Sequence, residues 1–574
     1  MASALPLILV TYLAWHVARP TPVGQGAAKA SADTLLVNGH IYTSNAAQPW
    51  VEAVAIHGDE IVEVGSTAEA QKYRGANTKV IDLGGRMAMP GLIDTHTHFL
   101  WGSYGLAGIQ LYDAHNVEEV KAILEDYAKN HAHEKWVYGA GWYYGSFWGP
   151  AGLPTKKLLD EIFPNQPVSI MSEDGHSLWA NSKALALAKI TRKTPNPTGA
   201  AKGIIVHDEG GEPTGVLEEG AKRLVQNVMA TTMTEDQKFS NLRLGMKFAN
   251  EHGITSVVNA TGDIPEMELY EALHKRGELT VRMTTAFAED TGVRHTLSRE
   301  ELATFEQARE RFRDDWVRAG VIKFFADGVI ETHTAAMLEP YANTPGQKGA
   351  TLYTPEEFKR DFQELDRRKF QVMTHAIGDG AVRTVLDAYE WVEQQDGPRD
   401  RRWRIEHMET IAAADRPRLA KLGVIAAIQP WCCPLAGDPW ADNVGPGRMD
   451  EAIPWQDILS AGATLAMGSD WPVESLDPFP IMQMGLTRQD LEGNPAGGFH
   501  PKEALTLDEM LAGYTRNAAY AEFMEKRLGQ LAPGMLADVV VLSQDVYKTR
   551  PAELAKTKVL LTMVSGRIVW REGI

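Results

Sequence analysis

The sequence predicts an α/β protein: a (β/α)8 barrel with a composite β-sandwich domain from both termini and a subdomain inserted after the first barrel strand. Three observations predict it. Through the middle of the chain, short β-branched runs alternate with amphipathic helical stretches, the pattern of parallel strands joined by crossover helices. Both ends instead alternate apolar and polar residues around Asn-Gly and Gly-Asp turns, as hairpins do: TLLVNGHIYTS and WVEAVAIHGDEIVEVG near the start, LAPGMLADVVVLS and VLLTMVSGRIVW near the end. Finally, polar residues of ligand type recur where the middle runs end.

Residues 1–30 read as a signal segment. Leu5 to Ala14 is an apolar run too short to span a bilayer, no Lys or Arg precedes it, and Ala28-Lys29-Ala30 has the form of a cleavage site. The expectation is an exported protein, periplasmic or extracellular, with no membrane span in its mature form; without cleavage it would be cytoplasmic. Residues 31–88 and 527–574 are expected to pair as the sandwich, and 89–526 to form the barrel. Its eight strands are read at Ala88 to Thr95, Ile254 to Ala260, Val281 to Phe287, Val321 to Ala326, Gln371 to His375, Arg404 to His407, Val424 to Gln429 and Thr464 to Ser469. The gap between the first two is too long for one helix. Residues 139–226, rich in Gly, Pro, Trp and Asn, are therefore read as an insertion over the barrel mouth.

The chain of 574 residues has ample material for a large core, and 23% charged with 44% hydrophobic residues is ordinary for a globular protein. A formal net charge of -18 leaves no basic excess to neutralise phosphates, so a small-molecule substrate is expected and no nucleic acid. Cys432 and Cys433 are adjacent and the only cysteines, which excludes a long-range disulfide framework; they read as a small apolar pair at a strand end.

The chemistry gathers around MAMPGLIDTHTHFLW. An apolar run ends abruptly in His96 and His98, two apart and so on one face of a strand, where two imidazoles suit a divalent metal. The other strand ends add Lys323 in VIKFFADG, His375 in VMTHAIGDG, His407 in RIEHMET and Asp470 in MGSDWP. In a barrel these ends converge.

This set resembles the amidohydrolase superfamily of metal-dependent hydrolases. PGLIDTHTH, HAIGDGAV and GSDWPV resemble its family 3 branch, the YtcJ-like proteins that include N-substituted formamide deformylase. The likeness continues through GWYYG, GHSLWANSKAL, TPNPTG and PTGVLEEGA to LAPGMLADVVVL, nearly the whole chain after the signal segment. It implies a hydrolase of carbon-nitrogen bonds other than peptide bonds, and an assembly of dimers or larger.

Residue by residue, His96, His98 and Asp470 would hold one divalent metal, and His375 and His407 a second. Imidazole and carboxylate suit Zn2+, with Mn2+, Fe2+ and Co2+ open, at one or two per chain. An ammonium beside two metals would be repelled. The resemblance implies instead that Lys323 is carbamylated and bridges them; the other reading is a core lysine paired with an acid such as Asp327. Asp470 would also be the catalytic base. Substrate contacts are expected from His176, Trp142, Trp179 and Trp471, with Trp101, Trp148 and Trp431 near the mouth, although His176 reads equally as a turn histidine. His333 reads as a loop residue, and Asp327 and Asp379 as turn formers. The leading activity is cleavage of a small N-substituted amide, formamide or N-acyl compound; ester or lactone hydrolysis and deamination of a cyclic amidine remain alternatives.

Overall fold

The computed structural model describes residues 31–149, 152–173, 175–198, 202–288, 297–430, 439–449 and 452–574. Residues 1–30, expected to be a signal segment, the cysteine pair and Trp431 lie outside them. No helix of the described residues is long and apolar enough to cross a membrane.

Eight parallel strands run in chain order around one sheet: β1 (Leu92–Thr97), β2 (Ile254–Gly262), β3 (Arg282–Phe287), β4 (Val317–Phe325), β5 (Gln371–Ala376), β6 (Arg404–His407), β7 (Ile425–Ile428) and β8 (Thr464–Met467). The sheet meets itself at the β1/β8 seam, where the Asp470 amide donates to the His96 carbonyl and the His98 amide to the Trp471 carbonyl, both at 2.7 Å. Gly468 permits this approach, since a Cβ there would fall 2.8 Å from the His96 nitrogen. Inside the ring, Val258, Ala286, Val321 and Met373 fill the axis as a packed core. Outside, long helices begin at capping boxes, Thr234 with Gln237, Ser298 with Glu301 and Thr354 with Glu357, which satisfy amide donors the first turn leaves open.

The run expected as one strand from Ala88 to Thr95 is two. Met87–Pro90 pairs with Val539–Leu542 in a six-stranded sheet drawn from both ends of the chain, and β1 starts after Gly91. Both halves are buried, so hydropathy does not mark the break. That sheet faces a four-stranded one, and Leu36, Ile41, Val54, Val539 and Leu561 share the core of the resulting sandwich.

The inserted subdomain is a further six-stranded sheet ordered Gly203–His207, Pro213–Glu219, Ser177–Ala180, Val168–Ser172, Val137–Trp142 and Ile109–Gln110. It begins before the 139–226 stretch, because Ile109–Gln110 pairs with Val137–Trp142.

Candidate active site

Strand alternation places most of the cluster. On β4, Val321 faces the barrel axis and Ile322 and Phe324 the outer helices, so Lys323 points inward. On β5, Met373 faces inward and His375 follows two residues on. His96 and His98 stand at the end of β1, and Asp470 follows β8. His407 breaks the pattern: Ile405 on the same strand packs outward, and a φ of 71° at His407 interrupts the alternation. Asp470, with φ 62°, is also left-handed. Such backbone is costly for residues other than glycine and concentrates at working sites.

All six residues expected to carry the chemistry lie together. Ring centroids are 5.0 Å apart for His96 and His407, 4.6 Å for His375 and His407, and 5.7 Å for His96 and His98. The Lys323 Nζ is 3.3 Å from His96 Nε2, and Asp470 Oδ1 is 3.3 Å from His96 Nε2 and 3.1 Å from His98 Nε2. Nitrogen and oxygen donors of His96, His407 and Asp470 all fall within 4.8 Å of one another.

His96 Nδ1 meets Glu406 Oε2 at 2.6 Å, so the proton of the neutral ring sits on Nδ1 and Nε2 presents a lone pair. Burial drives the His96 ring well below its ordinary pKa, with the Lys323 charge adding to it. Glu406 is held by Arg404, whose Nη2 also donates to the Thr95 carbonyl. His98 Nδ1 meets the Thr261 hydroxyl at 2.6 Å. His375 Nε2 reaches the Gly328 carbonyl at 3.1 Å, a bond that requires its proton there and leaves Nδ1 as the lone-pair nitrogen; burial, then Lys323, push this ring down to about 3. Burial pulls Lys323 down to about 8, against the pull of Glu406 and Asp470. Burial works to raise the Asp470 carboxyl, but His96, His98 and Lys323 outweigh it and hold it below the usual range.

Asp94, the acid of the DTHTH run, accepts the His96 amide at 3.0 Å and the Ser469 amide at 3.0 Å, clamping the β1/β8 seam; burial raises it to about 7. Asp327 does not pair with Lys323. It accepts the backbone amides of Ala336, Ile377 and Gly378, tying two loops of the rim. Asp379 accepts the Leu338 amide, and His333 bonds Asn343 and Thr344.

The cluster is the floor of a cavity of about 600 Å3 whose wall includes Tyr143, Tyr144, Phe325 and Trp455. His176 lines it, with Nδ1 on the Glu219 carboxylate at 3.0 Å. Trp142, Trp179 and Trp471, expected to touch substrate, are not among the residues that line the cavity. Trp142 and Trp179 lie in the inserted sheet's own core, with Trp142 Nε1 donating to the Ile170 carbonyl. The strand slips its register between Ala140 and Trp142, where Gly141 takes φ 95°, and ends at Trp142, so Trp142 turns into the core while Tyr143 and Tyr144, beyond the strand, reach the cavity. Trp471 packs its ring on Phe99 and Phe248, and only its carbonyl serves the rim. Acids were missed. Glu173, Glu331, Glu409 and Glu474 line the cavity with Asp470, and Lys323 is the only lysine or arginine among the described lining residues.

Three comparisons bear on this site. A protein of Arabidopsis thaliana, LONG AFTER FAR-RED 3, is 32% identical over 93% of this chain and 91% of its own length. The N-substituted formamide deformylase of Arthrobacter pascens is 27% identical over 93% of this chain and 97% of its own. A crystal structure of an uncharacterized metal-dependent hydrolase from Pyrococcus horikoshii superposes with a TM-score of 0.74 at 23% identity, covering 90% of this chain and 99% of that one, a likeness of fold. The sequence model of the amidohydrolase family matches residues 79–570, from the sandwich through every barrel strand and back, and the chain belongs to that family of hydrolases.

Proposed function

We propose that the protein is a metal-dependent hydrolase that cleaves the carbon-nitrogen bond of a small N-substituted amide, formamide or N-acyl compound. One observation carries the reading. His96 Nε2 and Asp470 Oδ1 lie 3.3 Å apart at the buried end of the cavity, with His98 Nε2 3.1 Å from the same oxygen and a ring nitrogen of His407 within 4.8 Å of the first two. Lone pairs so placed repel unless a cation lies among them, and an imidazole and carboxylate donor set suits Zn2+. In this reading His96, His98 and Asp470 hold one cation, with His407 beside them, and His375 and His407 hold a second.

A divalent cation there supplies Lewis acidity, polarising a carbonyl and lowering the pKa of water from about 15.7 towards 7. The residues do the rest. Asp470, ionised by its neighbours, accepts the proton of the attacking water at its carboxylate and returns it to the departing nitrogen, without which an amine leaves poorly. Glu406 and Thr261 fix the rings of His96 and His98. Lys323, buried and shifted towards neutrality, is suited to add carbon dioxide: its nitrogen bonds the carbon, a proton goes to water, and the carbamate would add a negative charge to the residues that would hold the cations. Glu173, Glu331 and Glu409 on the wall favour neutral or amine-bearing substrates over N-acyl amino acids, whose carboxylates they would repel, while burial pushes Glu474 towards its neutral form.

The test is turnover of metal-loaded enzyme on matched compounds: an N-formyl amine, the corresponding N-formyl amino acid, and an ester of the same acyl group. Expected is carbon-nitrogen cleavage, with kcat/KM higher for the amine series. Ester cleavage with no amide cleavage would overturn the reaction class. Lys323→Ala should lower metal occupancy and recover part of its rate with short carboxylic acids; full occupancy and rate would remove the carbamate.

A further inference from the structure

At the N-terminal end of the barrel, away from the histidines, lies a second recess of about 190 Å3 lined by Arg309, Arg318, Lys369, Arg399, Arg401 and Glu522. It forms where β4 slips against β3. Thr284 pairs with Arg318, but Ala286 pairs with Val321, so an extra residue bulges out around Ala319 and Gly320. Gly320 takes φ 124°, which only glycine adopts readily.

The charges of the recess are not balanced from within. Arg399 and Arg401 share one carboxylate, Asp366, at 2.7 and 2.9 Å. Arg309 gives Nη1 to the Arg368 carbonyl and lies 4.3 Å over the Phe370 ring, with no carboxylate partner among the described residues. Arg318 Nη1 is buried with no hydrogen-bond partner among the described residues. Glu522 is 5% exposed; its Oε2 accepts the Thr284 hydroxyl at 2.6 Å, and its Oε1, also buried, has no partner. Five cationic side chains thus meet one carboxylate, Asp366, and the buried carboxyl of Glu522, in a chain whose net charge is -18. Leaving a buried guanidinium nitrogen and a buried carboxyl oxygen unsatisfied is costly. A guest that accepts from the guanidiniums and meets the carboxyl removes that cost.

We propose that this recess binds a small phosphate-bearing anion. Guanidinium forks match the oxygens of a phosphate in pairs, and about 190 Å3 admits the group with room for a short substituent. Burial pushes the Glu522 carboxyl above its ordinary range, which lessens its repulsion of a phosphate oxygen. Gln371 and His375 lie four residues apart on β5, about 13 Å along the strand, so the recess is separate from the histidine cluster.

The experiment is thermal unfolding of the full metal-loaded chain, titrated with inorganic phosphate or glycerol phosphate against chloride at equal ionic strength. Expected is a saturable rise in Tm with at least one of the two, fixing whether the free ion or the ester is the better guest. Arg318→Met should weaken that binding about tenfold, the scale of one lost hydrogen bond to a charged group. Phosphate held at the histidine cluster would shift Tm in the variant unchanged, and that result overturns the proposal, as does the absence of any anion-specific shift. Should Arg318→Met fail to fold, the exposed Lys369→Met carries the same comparison with a smaller loss, and identical titrations for it and the parent overturn the site.

Discussion

The barrel rim and the inserted sheet bury large side chains in opposite ways. At the rim the buried residues are polar: His96 is 1% exposed and Lys323 0%, and each is held by a neighbour that is itself polar and buried. In the inserted sheet they are apolar: Trp142 and Trp179, both 0% exposed, lock into Leu111, Leu124, Val168 and Ile170. Burying an aromatic ring stabilises the fold by itself. Burying imidazoles, a lysine and a carboxylate together costs stability unless something else recovers it. The rim is the region where the chain gives up stability, and so where chemistry is to be sought.

Substituting one residue in each region separates the two. Asp470→Asn keeps the shape and removes the proton acceptor; turnover is expected to fall about 10²- to 10⁴-fold, with metal content, read by elemental analysis, largely kept. Near-normal turnover would remove Asp470 as the base. Trp142→Ala should do the reverse. Loss of a fully buried tryptophan destabilises by about 3–5 kcal/mol, read by denaturant unfolding, while kcat of the folded fraction changes little. A large fall in kcat with unchanged stability would put Trp142 in the substrate site and erase the contrast.

The same contrast governs what the sequence discloses. Lys323 and His375 are legible because each follows, two residues on, an apolar residue that faces the barrel axis; the period of a strand transmits direction. His96 and His98 are legible on other grounds, as two residues of ligand type spaced to share one face where an apolar run ends. The tryptophans of the insertion carry no such template. Residue type alone cannot tell a core ring from a cavity ring, and in GWYYG the answer changes between Trp142 and Tyr143. His407 and Asp470 are legible as strand-end residues, but their left-handed backbone is not, since φ at those positions is imposed by the closed ring. The Ala88 to Thr95 run hides the step from sandwich to barrel because both halves are equally apolar. The acids of the wall come from separate loops, and no spacing links them.

Glu406 was readable and went unread. Arg404 and Glu406, two apart on a strand whose Ile405 packs outward, must both face into the barrel, and a charged pair there asks what it supports. Structurally it supports His96: Glu406 accepts the hydrogen bond from Nδ1–H and Arg404 anchors the carboxylate. Glu406→Gln keeps the size and an acceptor oxygen but removes the charge that orients His96 and makes its Nε2 more basic. Metal affinity, measured by competition with a chelator, should fall about 10- to 100-fold, as for other carboxylates behind a ligating histidine. Arg404 would lose its buried counter-charge as well, so some loss of stability should accompany it. The arginine separates the two effects. Arg404→Met with Glu406→Gln removes the stranded charge and should regain stability without regaining metal affinity. If affinity returned with stability, the pair would serve packing in the way Trp142 does, and the division between a rim that gives up stability and a sheet that gains it would fail at its best-supported histidine.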